Sequence, residues 1–270
     1  MGADIPIILL SGMAADERLF QSQLEAFPNL RVQPWIPPLT GESLRQYAAR
    51  LAPLVDPGRS CIIGGASFGG VVALEMARYL PAVACILIGS VRSPSGLPWR
   101  WRLMLPVAWL GPDALRILVG ISARLGRRLL PQRTLRRAQR LTRPDAAFVR
   151  WAMVAVVRWR PGGAARKLRV FHIHGACDRV LPVARSQPDV IVPEGGHALS
   201  LFHPSAVNEF IASVVKRVET RGDIECDGGF DCPNAAAKVL LNVSMTRHSG
   251  GWFGAEMTNL GSVNMAATPF

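Results

Sequence analysis

No stretch of about 18 or more consecutive apolar residues occurs in the 270-residue chain, so no membrane-spanning helix is expected. Neither a basic n-region nor a small-residue cleavage site precedes the first apolar run at Ile5, so no secretory leader is expected. Cysteine is sparse. The five are scattered, and no pair has zinc-ligand spacing with histidines, so reduced thiols, no metal and a cytoplasmic protein are expected. Internal repeats are absent. Charged residues make up only 19% of the chain and apolar residues 49%, which excludes wholesale disorder and leaves enough apolar material for a large core.

Lysine is nearly missing. Of the 31 basic residues 28 are arginine, in a chain of net charge +12. Between Arg92 and Arg169, 17 arginines and one lysine face only Asp113 and Asp145, a local charge of +16. The rest of residues 1–221 is close to neutral, and the segment from Gly222 onward carries −3. A basic block of this kind suits an arginine-rich solvated surface, an acidic substrate, anionic lipid or nucleic acid.

Segments 5–10, 31–35, 60–64, 83–88, 169–174 and 189–192 read as strands, and helical patterns fill 16–26, 42–55, 68–80 and 204–218. Strands alternating with helices imply βαβ units and a parallel sheet. Helical patterns around 99–110, 113–128 and 144–159 interrupt that alternation between the fourth and fifth strands. The expected organisation is therefore a core of residues 1–91 and 169–221, an inserted helical cap at 92–168, and a tail at 222–270. The tail has little apolar face to bury and is expected to be loosely ordered.

The sharpest motif is Gly65-Ala66-Ser67-Phe68-Gly69, set between a strand and a helix. This is the G-x-S-x-G nucleophile elbow in the context it requires. The turn lifts the serine hydroxyl out of the sheet and places it at a helix N-terminus, where developing negative charge is favoured. Gly65 and Gly69 are needed because side chains there would collide as strand and helix close on one another. No Lys-Ser/Thr follows, so the turn is not a phosphate loop.

With these residues the chain resembles the α/β-hydrolase family over residues 5–218. The resemblance implies an α/β fold with a mainly parallel sheet of about six strands, helices on both faces and an inserted cap. The family's first two strands have no counterpart before Ile5. It also implies a catalytic triad in the order nucleophile, acid, histidine. His174-Gly175-Ala176-Cys177-Asp178 looks like the family's H-G-x-x-D loop, which makes Asp178 the acid at the end of a parallel strand. Gly195-Gly196-His197 follows the last strand and makes His197 the general base. His172 and His174 share a strand face and are expected to have structural roles. The oxyanion hole would be formed by the backbone N–H groups of Phe68 and, by resemblance, Met13. Many relatives carry His-Gly where this chain has Ser11-Gly12, which leaves a backbone donor intact but removes a supporting histidine.

A serine nucleophile argues against relatives that use aspartate to dehalogenate or to open epoxides. It suits cleavage of an ester or similar acyl bond through an acyl-enzyme, with no cofactor. The partner expected is a small acyl substrate, with no nucleic acid, and with weak association of the Arg-rich cap with anionic surfaces as a further reading. Trp99, Trp101, Met104, Leu105, Trp109, Trp151, Met153 and Trp159 would line an apolar acyl pocket or simply pack the cap. A thioesterase, acyltransferase or carbon–carbon hydrolase with the same triad, and a non-catalytic binding protein on the same fold, remain as alternatives.

Overall fold

The structure, a computed structural model, describes residues 5–103, 145–161 and 168–225. Six strands form one all-parallel sheet: β1 (Ile7–Leu10), β2 (Leu30–Gln33), β3 (Cys61–Ala66), β4 (Ala82–Ile88), β5 (Arg169–Gly175) and β6 (Val190–Val192). Their order is β2-β1-β3-β4-β5-β6. Every neighbouring pair is parallel. The helices among the described residues are α1 (Gln21–Ala26), α2 (Leu44–Leu51), α3 (Phe68–Met76), α4 (Arg100–Leu103), α5 (Ala146–Val157), α6 (Leu199–Phe202) and α7 (Pro204–Glu225).

The central strands are apolar on both faces, as parallel strands covered by helices must be. Side chains alternate between the faces. Ile8 and Leu10 join Cys61 and Ile63 in a core closed by α2, α3 and α5. Ile7 and Leu9 join Ile62, Ile86 and Ile173 in a second core closed by α1 and α7. Each fully buried Ile or Leu contributes about 1.5–3 kcal/mol of transfer free energy. Gln23 interrupts the apolar stripe of α1, yet it is fully buried. Its Nε2 donates to Asn208 Oδ1 at 2.7 Å and ties α1 to α7.

Helix ends differ from the sequence expectation for local reasons. α2 starts at a capping box in which Ser43 Oγ accepts the Gln46 N–H and Gln46 Oε1 accepts the Ser43 N–H. It ends at Leu51 because Pro53 cannot continue the α-helical ladder, and a 3₁₀ turn over Ala52–Leu54 follows. α3 ends at Met76, short of Pro81, and its last residues unwind into turns. α7 opens with Pro204 at its first position and runs to Glu225, so residues 222–225 continue this helix. The helical pattern at 113–128, Met104, Leu105, Trp109 and residues 226–270 lie outside the described residues.

Strand order sets the position of the site. From β1 the chain crosses to β2 on one side and then returns to β3 on the other. The crevice beyond the carboxyl ends of β1 and β3 is thus a topological switch point, where open parallel sheets hold ligands. Ser11-Gly12-Met13 leaves β1 there and Ser67 leaves β3 there.

Candidate functional site

Ser67 has φ 51° and ψ −119°, a conformation rare for a residue with a side chain. The elbow is held on all sides. The Ser67 N–H donates to Ile88 O at 3.0 Å, and Ser67 O accepts the Gly70 N–H at 3.1 Å. Ser67 O also accepts the hydroxyl of the buried Ser90 at 2.6 Å. A Cβ added at Gly65 would lie 2.5 Å from the Gly69 carbonyl carbon, and one at Gly69 would overlap Leu10 O and Ser11 O. Both glycines are therefore demanded by backbone contact, in line with the sequence reading. Gly70 is demanded too, since a Cβ there would come within 2.6 Å of Ser90 Oγ. Ser90 and Gly70 carry no motif of their own and become visible only when β4 lies beside β3.

The three residues singled out in the sequence meet. His197 Nε2 lies 2.9 Å from Ser67 Oγ, and His197 Nδ1 lies 2.8 Å from Asp178 Oδ2. The Asp178 side chain is inaccessible to solvent and the His197 ring is 26% exposed, so the solvent-facing end of the line is the serine–histidine end. Asp178 Oδ1 accepts the N–H groups of Val180 at 2.8 Å and Leu181 at 2.9 Å. Burial by itself pushes the Asp178 carboxyl upward. Hydrogen bonds from His174, His197 and the Leu181 N–H outweigh it and hold the group well below the usual carboxylate range. Asp178 is therefore ionised at neutral pH. Gly89, at φ +53°, lets the end of β4 pass close by: a Cβ there would meet His197 O at 3.0 Å. Of the two glycines before His197, Gly195 packs backbone to backbone on Gly175, while Gly196 has nothing within 4 Å of its added Cβ. Close contact therefore restricts Gly195 and not Gly196.

His172 and His174 do bond to one another, His172 Nε2 to His174 Nδ1 at 3.1 Å. Burial pushes the His172 imidazole down to about 3, with the charges of His174 and Arg92 adding to it. The unfolded chain takes up a proton at this residue near pH 6.5, whereas the folded chain resists it until about pH 3. This contribution to stability is full above pH 6.5 and falls away as the pH drops from there towards 3. We expect the melting temperature to decline below pH 6.5 and His172→Gln, which cannot titrate, to flatten the decline between pH 6.5 and 4.5. Thermal melts across that range would check it; equal slopes for both proteins would contradict the assignment.

The two residues expected to supply oxyanion donors, Phe68 and Met13, lie in segments next to Ser67. Phe68 is the first residue of α3, where no carbonyl of the helix can reach its N–H. Met13 belongs to the loop that flanks Ser67: a Cβ added at neighbouring Gly12 would lie 3.8 Å from Ser67 Cβ. That loop is fixed by Trp35 Nε1 donating to Gly12 O at 3.2 Å and Ser11 Oγ donating to Ala15 O at 2.8 Å. Among the described residues no group of His, Cys, Asp and Glu could hold a metal ion, and no helix is long and apolar enough to cross a membrane.

Aromatic rings pack beside Ser67. Phe68 contacts Trp35 at 5.6 Å, Phe148 at 6.1 Å and Trp151 at 6.0 Å between ring centroids. Trp151 was expected in this role. Trp35 and Phe148 were not, and nothing local distinguishes them. Trp159 is buried and donates to Glu75 Oε1 at 2.8 Å, which makes it a packing residue, and Trp99 is 66% exposed. A cavity of about 370 Å³ is lined by Met13, Trp35, Ile36 and Phe148 among others. A larger groove of about 800 Å³ runs between α2 and α5 and carries Arg45, Arg150, Arg158 and Arg160 on its walls.

The model of the alpha/beta hydrolase family matches residues 7–210. The chain belongs to that family, and is thereby placed among hydrolases. No curated protein matches the sequence. Similar solved structures include a thermophilic esterase from Thermogutta terrifontis, with 20% identity, a TM-score of 0.58, and 81% of this chain and 92% of that chain covered. A carboxylesterase structure from the thaumarchaeon Nitrososphaera gargenis has 15% identity and a TM-score of 0.61, covering 82% and 94% of the two chains. An esterase from Exiguobacterium antarcticum has 17% identity and a TM-score of 0.58, covering 80% and 93%. At these identities the likeness concerns the fold.

Proposed function

We propose that this hydrolase cleaves a carboxylic ester, or a similar acyl bond, through an acyl-enzyme on Ser67. The observation that carries the reading is the unbroken line from Ser67 Oγ through His197 to Asp178, with links of 2.9 and 2.8 Å. His197 Nε2 takes the hydroxyl proton as Oγ attacks the acyl carbon, then returns it to the leaving alcohol. Water repeats the sequence on the acyl-enzyme and releases the acid. Asp178 holds His197 in the tautomer that leaves Nε2 free to accept, and stabilises the imidazolium. The N–H groups of Phe68 and Met13 stabilise the tetrahedral oxyanion. The esterase names of the similar structures support the same chemistry. The wall of Trp35, Phe68, Phe148 and Trp151 suits an apolar acyl or aryl group.

One observation favours a second reading, a thioester whose carrier bears phosphate. The groove with Arg45, Arg150, Arg158 and Arg160 adjoins Trp151 on the outer side of that wall, and its one buried acid, Glu42, is paired with Arg50 at 2.9 Å. Weak association with anionic surfaces would use the same arginines. A fluorophosphonate probe should label the wild type at Ser67 and fail to label Ser67→Ala. Turnover of nitrophenyl esters of increasing chain length, set against acyl thioesters with and without phosphate, separates the two readings. Labelling that persists in Ser67→Ala would end both.

A further inference from the structure

The buried histidine of the H-G-x-x-D loop touches the carboxylate on which the proposed mechanism depends. His174 is fully buried. Its Nε2 faces two acceptors, Leu181 O at 2.7 Å and Asp178 Oδ2 at 3.2 Å. Neither can donate, so this nitrogen carries a proton in every state of the ring. Two imidazole nitrogens therefore approach Asp178 Oδ2, His197 Nδ1 at 2.8 Å and His174 Nε2 at 3.2 Å. The other oxygen, Oδ1, is held by the Val180 and Leu181 amides.

We propose, on the acyl-enzyme reading above, that His174 is a positioning residue. Its Nε2–H, anchored on Leu181 O, shares Oδ2 of Asp178 with His197 and limits how strongly that oxygen holds the His197 proton. A carboxylate serving only His197 would concentrate its charge on one bond and stabilise the imidazolium, which cannot act as a base. Division of the charge keeps the base available at lower pH. The groups around His174 leave this balance intact. His172, behind it, is kept neutral by burial. Arg92 and Asp189, the charges nearest His172, are paired with each other at 2.7 Å, and Asp189 also accepts the His172 N–H at 2.7 Å. Ser67 faces His197 from the opposite side and is uncharged.

The test compares full-length wild type with His174→Asn, His174→Leu and His174→Gln. Gln places its amide nitrogen near the position of Nε2, whereas Asn keeps polarity but falls short of Asp178, and Leu has no donor. Two measurements are made: the downfield proton resonance of the His197 Nδ1–H, and the pH dependence of fluorophosphonate labelling. In Asn and Leu the resonance should move further downfield and the acid limb should move to higher pH, slowing labelling on that limb by about tenfold per unit of displacement. Gln should restore both. A folded Asn or Leu protein with the wild-type resonance and acid limb overturns the proposal, as does a Gln protein as altered as Asn. The resonance needs no turnover. A wild type with the expected resonance response but no labelling at Ser67 would instead remove the acyl-enzyme reading and leave the role of His174 standing.

Discussion

Ser67→Ala and His197→Ala should each lower kcat by at least about 10⁴-fold, and Asp178→Asn by about the same order. Ser67 has no substitute, because no second hydroxyl bonds His197 among the described contacts. His197→Ala leaves Oγ without an acceptor for its proton. Asp178→Asn replaces an acceptor with an amide of similar shape. If the amide nitrogen faces His197, the ring is driven to the tautomer whose Nε2 bears hydrogen and cannot take a proton from Ser67. The losses should not add. Once one member is gone the others have no shared task, so the double variant Ser67→Ala/His197→Ala should be about as slow as either single one. Residual activity would come from binding and the two oxyanion amides. Steady-state kinetics on one nitrophenyl ester, with melting curves to confirm folding, are sufficient. A His197→Ala protein within tenfold of wild type, or losses that multiply, would remove the assignment of these residues as one unit.

Gly69→Ala should be among the most damaging small substitutions in the protein. The added methyl group would overlap Leu10 O and Ser11 O, and both belong to backbone that cannot move without disturbing β1 and the Met13 loop. Overpacking of an ordinary core site costs about 1–3 kcal/mol. Here the obstacle is main chain rather than a rotatable side chain, so the cost should be at or above the top of that range. Gly196→Ala provides the contrast. It lies one residue from His197 but has open space around its Cβ position, so stability should change by no more than about 0.5 kcal/mol. Denaturant unfolding of the two variants would measure the difference. A Gly69→Ala protein as stable as Gly196→Ala would show that the elbow is looser than its contacts indicate.

What could be read from sequence follows a physical divide. Ser67 was legible because its chemistry and its backbone are specified within five residues, between a strand and a helix. Asp178 and His197 were legible because each follows a strand in the family's order, so the sheet itself brings them to one edge. The central strands were legible because strands buried on both faces are continuous apolar runs. Ser90, Gly89, Trp35 and Phe148 were not. Each matters through a contact with a segment far away in the chain: Ser90 with Ser67 O, Gly89 with His197 O, and Trp35 and Phe148 with Phe68. Their own neighbours in sequence say nothing of that. Helix ends were also missed where proline acts ahead of its own position, as with Pro53 and Pro81.

Ser67 and His197 are 130 residues apart in the chain. The nucleophile sits after the third strand and its base after the sixth, and non-local parallel pairing is slow because distant segments must be brought together first. At ribosomal speeds of about 5–20 residues per second, the serine emerges roughly ten seconds before its histidine. During that interval the nascent chain carries an elbow whose hydroxyl has no base. On the proposed mechanism, hydrolysis begins only once the loop after the last strand brings His197 to Ser67. In a refolding experiment, activity would then report completion of the sheet's far edge, later than any signal from the tryptophans around Phe68.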